Sequence, residues 1–168
     1  MSVTNARVFT QVFGVVGAII ERDSKFLLVK EHHPGHSAHG KWNQPAGWID
    51  VGENPIDAVI REVREETGLR FTPTHLLGLY SLVKRCEVYT GEPSQTRHPL
   101  KLIFIGTILG RSEGFANDEI SETKWFLPED IYAMDEKTLR DTDIKTEIRD
   151  YLSGVRYPLK IITHTVQE

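Results

Sequence analysis

The fold class this sequence predicts is α/β in the α+β sense: an α/β/α sandwich built on a mixed β-sheet. Three observations carry that expectation. Apolar runs of strand length alternate with amphipathic stretches of helix length along the chain. One helix, over 55–67, has a capping residue at each end and an apolar stripe between them. At 168 residues, 39% hydrophobic and 26% charged, the chain is long enough for one domain with a substantial core, so residues 1–168 read as a single domain. Strands interleaved with a few helices pack as layers because each apolar sheet face must be covered.

Taken in order, Val12–Ile20 and Phe26–Lys30 are apolar runs split by Glu21-Arg22-Asp23-Ser24-Lys25, which reads as a hairpin. Residues 32–40 form a polar loop containing His32, His33, His36 and His39. Four histidines raise zinc as an option, but no cysteine accompanies them and their spacing matches no closed site, so a solvated loop is the better reading. Gln44–Trp48 reads as a strand end running into a loop. The helix follows: Asn54 suits the N-cap, Pro55 the first helical position, Asp57 the positive helix end and Gly68 a left-handed C-cap. Its apolar face is Ile56, Val59, Ile60 and Val63, at helical spacing. Leu76–Lys84 and Leu100–Leu109 read as strands around a polar loop, Cys86–Pro99. Ile120–Phe126 is a short strand, Pro128 opens a helix over 128–134, Thr142–Leu152 is an amphipathic helix, and the tail over 153–164 is apolar enough to dock. No repeat, linker or low-complexity segment interrupts this order.

Composition narrows the function classes. A net charge of −4 and a pI near 6.0, with no basic stripe, argue against a nucleic-acid duplex as partner. No apolar run approaches the ~20 residues a membrane span needs, and the polar N-terminus does not resemble a secretory leader. The single cysteine, Cys86, has no intramolecular disulfide partner, which fits a reducing, cytoplasmic setting. A nucleophilic role for it lacks any supporting motif, and a structural thiol is the plainer reading.

The segment that carries chemistry is Gly47–Leu69, GWIDVGENPIDAVIREVREETGL. Glu62, Glu65 and Glu66 stand at i, i+3 and i+4, which places three carboxylates on one helix face over adjacent turns, beside the apolar stripe. Like charges so close repel, so a bare helix gains nothing from them, whereas a hard cation such as Mg²⁺ or Mn²⁺ takes oxygen donors at this spacing. The plain alternative is a solvated helix face with ordinary i,i+4 pairs such as Arg61–Glu65. Yet Gly47, Glu53, Arg61, Glu62, Val63, Glu65, Glu66, Gly68 and Leu69 fit every fixed position of G-x5-E-x7-R-E-U-x-E-E-x-G-U, where U is a large aliphatic residue. With average residue usage, such a match at one starting point has a chance probability on the order of 10⁻⁹.

This pattern closely resembles the box of the Nudix hydrolase superfamily, whose fold is an α/β/α sandwich of the kind expected. The resemblance implies a Mg²⁺-dependent enzyme, with Mn²⁺ as substitute, that hydrolyses a diphosphate linkage by attack of water at phosphorus. By that resemblance Glu62, Glu65, Glu66 and the Gly47 carbonyl are metal ligands, and Arg61 orients a carboxylate with Glu53 close by. The general base stays open between Glu66, Glu62 and an acid from the later loop 117–122, where Glu119 is the candidate. Ligating carboxylates must be ionised, so activity is expected to fall in acid and rise into the alkaline range.

The phrases Lys25-Phe26-Leu27-Leu28-Val29, Trp42-Asn43-Gln44-Pro45-Ala46-Gly47 and Arg156-Tyr157-Pro158-Leu159 resemble one bacterial branch. That branch contains the Nudix phosphatases acting on hydroxymethylpyrimidine pyrophosphate, thiamine pyrophosphate and nucleoside di- and triphosphates. One departure is Trp48, where those enzymes carry histidine after the box glycine; an indole there either stacks on a base or packs in the core. Lys84, Arg85, Arg97 and Lys101 are candidate phosphate contacts, weighed against a merely solubilising role. Trp42, Trp48, Tyr80 and Phe104 are candidate stacking surfaces, with core packing the alternative; Asn43 and Gln44 could bond a ligand or nearby backbone. Two other readings stay in view: a sugar-nucleotide or dinucleotide pyrophosphatase, ADP-ribose being the example, and a non-catalytic nucleotide-sensing domain. Because many Nudix proteins are homodimers, a second copy of the chain is a further candidate partner beside the small phosphorylated substrate.

Overall fold

The computed structural model describes residues 12–85, 96–111 and 119–167, without the side chains of residues 84, 85, 96 and 97. Its elements are β1 (Val12–Ile19), β2 (Glu21–Arg22), β3 (Lys25–Glu31), β4 (Trp42–Asn43), β5 (Ala46–Trp48), α1 (Pro55–Thr67), β6 (Leu69–Ser81), β7 (Lys84–Arg85), β8 (Thr96–Arg111), β9 (Ile120–Phe126), α2 (Pro128–Ala133), α3 (Ile144–Leu152) and β10 (Tyr157–Pro158). One sheet runs β10-β6-β8-β1-β5 with β7 paired to β8; the other runs β2-β3-β4 with β9 on β3. The β1–β8 pairing is parallel, from Val12↔His98 to Ile19↔Ile105, while β5 pairs antiparallel with β1 and β6 antiparallel with β8, so the larger sheet is mixed as expected.

Alternation along these strands sends side chains to two cores. Val16, Ala18 and Phe104 meet Ala58, Val59 and Val63 of α1 on one face. Ile19, Ile103 and Ile105 meet Ile131 of α2, Ile144 and Ile148 of α3, and Phe26, Leu28 and Phe126 of the second sheet on the other. Burying each such Val or Ile contributes about 1.5–3 kcal/mol, so the two apolar faces together set the layer order.

Three expectations need correction. Val12–Ile20 and Phe26–Lys30 do not form one hairpin. The hairpin is β2 with β3, Glu21↔Phe26 and Arg22↔Lys25, turned by Asp23 and Ser24 at positive φ. β1 belongs to the other sheet, because an eight-pair parallel register with β8 outweighs local continuation. The strand expected from Leu76 instead starts at Leu69, directly after α1, and passes through Pro73 by register shifts. Bulges let a strand carry a proline and an irregular pattern that sequence alternation alone reads as loop. The strand expected over Leu100–Leu109 is likewise longer: β8 begins at Thr96, inside the expected loop, where β7 pairs with it. α1, β9, α2 and α3 fall close to their expected bounds, and the tail docks: Tyr157↔Leu76 and Pro158↔His75 add β10 to the sheet edge, and Leu159 and Ile162 pack on the α1 core.

Candidate active site

α1 forms as its sequence requires. The Asn54 side chain accepts the Ile56 N–H, Pro55 opens the helix, and Gly68, at φ 67°, closes it with its N–H on the Arg64 carbonyl. Val59 and Val63 are fully buried, which fixes the rotation of the helix and so the direction of its acidic flank. That flank faces β5. A Cβ placed on Gly47 would lie 2.1 Å from Glu62 Cδ and 2.2 Å from each of its oxygens, so the glycine is required for the Glu62 carboxylate to sit against the strand.

Glu66 lies deepest, its Oε2 accepting the Ala46 N–H at 2.9 Å. Burial pushes its carboxyl well above the usual range; the Ala46 N–H opposes this, the charges of Glu31 and Glu62 add to it, and Arg140 offsets part. Glu62 is also raised, first by burial and less by Glu65 and Glu53, against the bond and charge of Arg61. Glu53 moves the other way, held low chiefly by its bond to Arg61.

Arg61 ties the cluster together. Nε donates to Glu53 Oε1 at 2.8 Å, and Nη2 donates to Glu53 Oε2 at 2.9 Å and to the Trp48 carbonyl at 3.0 Å. Nη1 donates to Glu62 Oε1 at 2.7 Å and Glu65 Oε2 at 3.1 Å. All five N–H groups are thereby engaged with the protein, and the guanidinium is held more basic than usual, first by Glu53. Among the described residues no three His, Cys, Asp or Glu side chains stand together as a ready-made metal set. Glu62 and Glu65 bond Arg61, and Glu66 bonds Ala46. The donors nevertheless fit a hard divalent cation: they are carboxylate oxygens, two of them raised by burial, packed against a strand cleared of side chain at Gly47.

The other candidates divide. Trp48 is half-exposed and stacks on Phe13 at 4.1 Å and 28°, leaving a face outside the core. Trp42 and Phe104 are core residues, and the Tyr80 hydroxyl donates to Asp150. Lys101 is not a free phosphate contact: it is buried, its Nζ 2.9 Å from Asp143 and 2.7 Å from Glu147, and Gln44 donates to the other Glu147 oxygen at 2.7 Å. Lys84 and Arg85 pair with Arg97 and Thr96 at the end of the sheet, with their side chains outside the description. Glu119 is an exposed turn residue whose carbonyl accepts the His32 N–H, beside the Glu31↔Ile120 pair. Asn117, Asp118 and Cys86 lie outside the described residues. In the histidine loop, His33 pairs with Glu31 at 3.0 Å and His36 accepts the Ala38 N–H.

Sequence reasoning missed Glu31, Arg140, Asp143 and Glu147. A faint signal existed for Glu147 and its partner Lys101: Lys101 alternates with Ile103 and Ile105, and Glu147 falls between Ile144 and Ile148 on a buried helix face. That spacing names no partner for either residue.

Fold and site together define a class, the α/β/α hydrolases that gather their acidic groups on a single capped helix. The chain belongs to the Nudix hydrolase family: the NUDIX domain model matches residues 11–147. It is 30% identical to Phosphatase NudJ of Escherichia coli K12 over 148 residues, 88% of this chain and 88% of that protein. A NUDIX hydrolase from Nitrosomonas europaea superposes with a TM-score of 0.80 at 33% identity, covering 92% of this chain and 98% of that one. The NUDIX domain of Shewanella oneidensis NrtR, complexed with ADP ribose, shares the fold at a TM-score of 0.63 and 19% identity over 88% of this chain and 93% of that one. The family acts on pyrophosphate bonds, and this chain is an enzyme of that kind. Among the described residues no helix is long and apolar enough to cross a membrane.

Proposed function

We propose that this hydrolase cleaves a phosphoanhydride bond in a small nucleotide or a pyrimidine pyrophosphate, by attack of water at phosphorus. The observation that supports it most is the close packing of Glu62 on Gly47 with Glu66 partly buried beside it on the Ala46 N–H, a set of oxygen donors suited to a cation. Glu62, Glu65, Glu66 and the Gly47 carbonyl would hold Mg²⁺, or Mn²⁺ in its place. Bound there, the metal supplies charge neutralisation at the phosphates and acidifies the attacking water.

The chain's own groups do the rest. Arg61 sets the positions of Glu53, Glu62 and Glu65 and touches no substrate, since its donors are engaged. Glu66 or Glu62 accepts the proton of the attacking water, with Glu119 the alternative base from the loop beside β3. Trp48, backed by Phe13, offers a stacking face to a base or pyrimidine ring, and Lys84, Arg85 and Arg97 are phosphate contacts at the same end of the sheet. One domain spanning 1–168 and a cytoplasmic setting complete the reading. The similarity to a protein named a phosphatase, over most of both chains, favours this substrate class over ADP-ribose.

The test is release of phosphate and pyrophosphate with Mg²⁺ from a panel of nucleoside di- and triphosphates, hydroxymethylpyrimidine and thiamine pyrophosphates, ADP-ribose and a diadenosine polyphosphate. Metal-dependent turnover of the first groups, lost in Glu66→Gln, is the expected result. Turnover of ADP-ribose or the dinucleotide alone would reassign the substrate, and nucleotide binding without turnover would make the domain a sensor.

A further inference from the structure

Beside the box cluster lies a second charged group that the mechanism above does not use. Glu31 ends β3 and is 2% exposed. Its Oε1 accepts a hydrogen bond from Arg140 Nη1, and its Oε2 lies 3.0 Å from His33 Nε2. Arg140 is delivered by backbone: its N–H bonds the Trp42 carbonyl at 2.9 Å, and the Trp42 N–H bonds the Thr138 carbonyl at 2.8 Å. The segment around Leu139 thus lies alongside β4, with Leu139 in the core. β4 leads within three residues to Ala46, whose N–H bonds Glu66, so Arg140 and Glu66 flank the same short segment. Their charges act on each other, and Arg140 is among the groups that lower the Glu66 carboxyl.

We propose that Arg140 is a phosphate-binding residue of this site, tied on one nitrogen to Glu31 and offering its remaining N–H groups to the diphosphate next to Glu66. This rests on the diphosphate reading given above. Three comparisons support it. Arg61 has all five N–H groups on protein acceptors and none for a ligand. Lys101 is buried and held by two carboxylates. Arg140 uses Nη1 alone on Glu31, no other hydrogen bond of its guanidinium falls among the described residues, and its side chain is 32% exposed. An arginine serving only as a structural tie to a carboxylate favours a two-nitrogen fork, which this one does not make. The local charge has the same sense: Glu31, Glu53, Glu62, Glu65 and Glu66 face Arg61 and Arg140, so an incoming anion needs a cation with donors to spare.

The experiment uses the full chain and two probes: the best panel substrate with Mg²⁺, and inorganic pyrophosphate with Mn²⁺. In Arg140→Gln, KM for the substrate and the inhibition constant of pyrophosphate rise together by roughly 10- to 100-fold, the worth of a charge-assisted contact, while kcat changes less. Arg140→Lys recovers part of the loss. Mn²⁺ binding, followed by electron paramagnetic resonance without substrate, stays within about twofold of wild type. Because Arg140→Gln strands the buried Glu31, the Glu31→Gln/Arg140→Gln double variant supplies the same reading without an unpaired charge. A measurement on the wild type needs no variant: Mn²⁺–pyrophosphate protects Arg140, mapped by mass spectrometry, from phenylglyoxal. Unchanged KM and pyrophosphate inhibition, or no protection of Arg140, overturns the proposal while panel turnover leaves the diphosphate reading standing. A wild-type protein that turns over no diphosphate and binds no Mn²⁺–pyrophosphate overturns that reading first.

Discussion

Two cation-centred clusters sit on opposite faces of the larger sheet, and they handle charge differently. At the box, Arg61 meets Glu53, Glu62 and Glu65 with every N–H engaged, yet Glu66, partly buried, has among the described residues a backbone N–H as its hydrogen-bond partner, and its carboxyl is raised. Under α3, Lys101 meets Asp143 and Glu147 with Gln44 on the far oxygen, and all of Lys101, Gln44 and Glu147 are shut from solvent. Burial lifts Glu147 to about 7 even so, with Lys101 opposing and Asp143 adding to the lift. The first cluster carries carboxylate in excess at an open edge, the disposition of a site that takes up a cation. The second supplies its own cation and is sealed, the disposition of an internal strut. Acidic residues alone do not distinguish the two; the supply of donors and access to solvent do.

Paired substitutions test that difference. Glu66→Gln should lower metal-dependent turnover on the order of 10³-fold, because a carboxylate proposed to hold the metal and to accept the proton of the attacking water is gone. The same variant should raise the metal-free Tm by about a few degrees near pH 8, since the amide keeps the Ala46 hydrogen bond without a buried charge. Lys101→Met has the opposite signature. It strands Glu147 and Asp143 and should cost about 3–5 kcal/mol in urea unfolding. A metal-free Glu66→Gln protein less stable than wild type, or a Lys101→Met protein of unchanged stability, would erase the distinction.

Gly47→Ala sharpens it further. The added methyl displaces the Glu62 carboxylate from β5, and Mg²⁺ affinity measured by calorimetry should drop about 10- to 100-fold with the fold retained. The smallest effect is in pH. Glu62 and Glu66 are both raised by burial, so the native state holds protons where unfolded glutamates have lost them. Their contribution to metal-free stability is therefore present below the unfolded glutamate pKa and declines as pH rises through the raised native values. Metal binding needs those protons gone, so turnover falls in acid, and the Tm gain on adding Mg²⁺ should be greater near pH 8 than near pH 5.5. Equal gains at both would remove the burial of these carboxylates from the account.

Much of this was legible in the residues. α1 runs from Pro55 to Thr67 with the caps its sequence names, and β9 spans Ile120–Phe126 as its apolar pattern requires. The proximity of Glu53, Arg61, Glu62 and Glu65 follows from spacing along one helix and its entry loop. Trp48 was undecided between stacking and core until Phe13, on the neighbouring strand, put its ring against one face and left the other outside. Lys101 looked like a surface cation because an alternating strand does not reveal what covers each face.

What the sequence by itself determined is therefore local: one capped helix, its three carboxylates at i, i+3 and i+4, and the glycine that marks the facing strand. Helix geometry converts such spacing directly into position, with no need for the rest of the chain. Tertiary structure decided the partners that lie far apart: Lys101 with Asp143 at a separation of 42, Gln44 with Glu147 at 103, and Arg140 with Glu31 at 109. It also placed β1 beside β8 rather than in a hairpin with β3. Those choices depend on which apolar faces are buried against each other, a property of the assembled layers and not of any short segment.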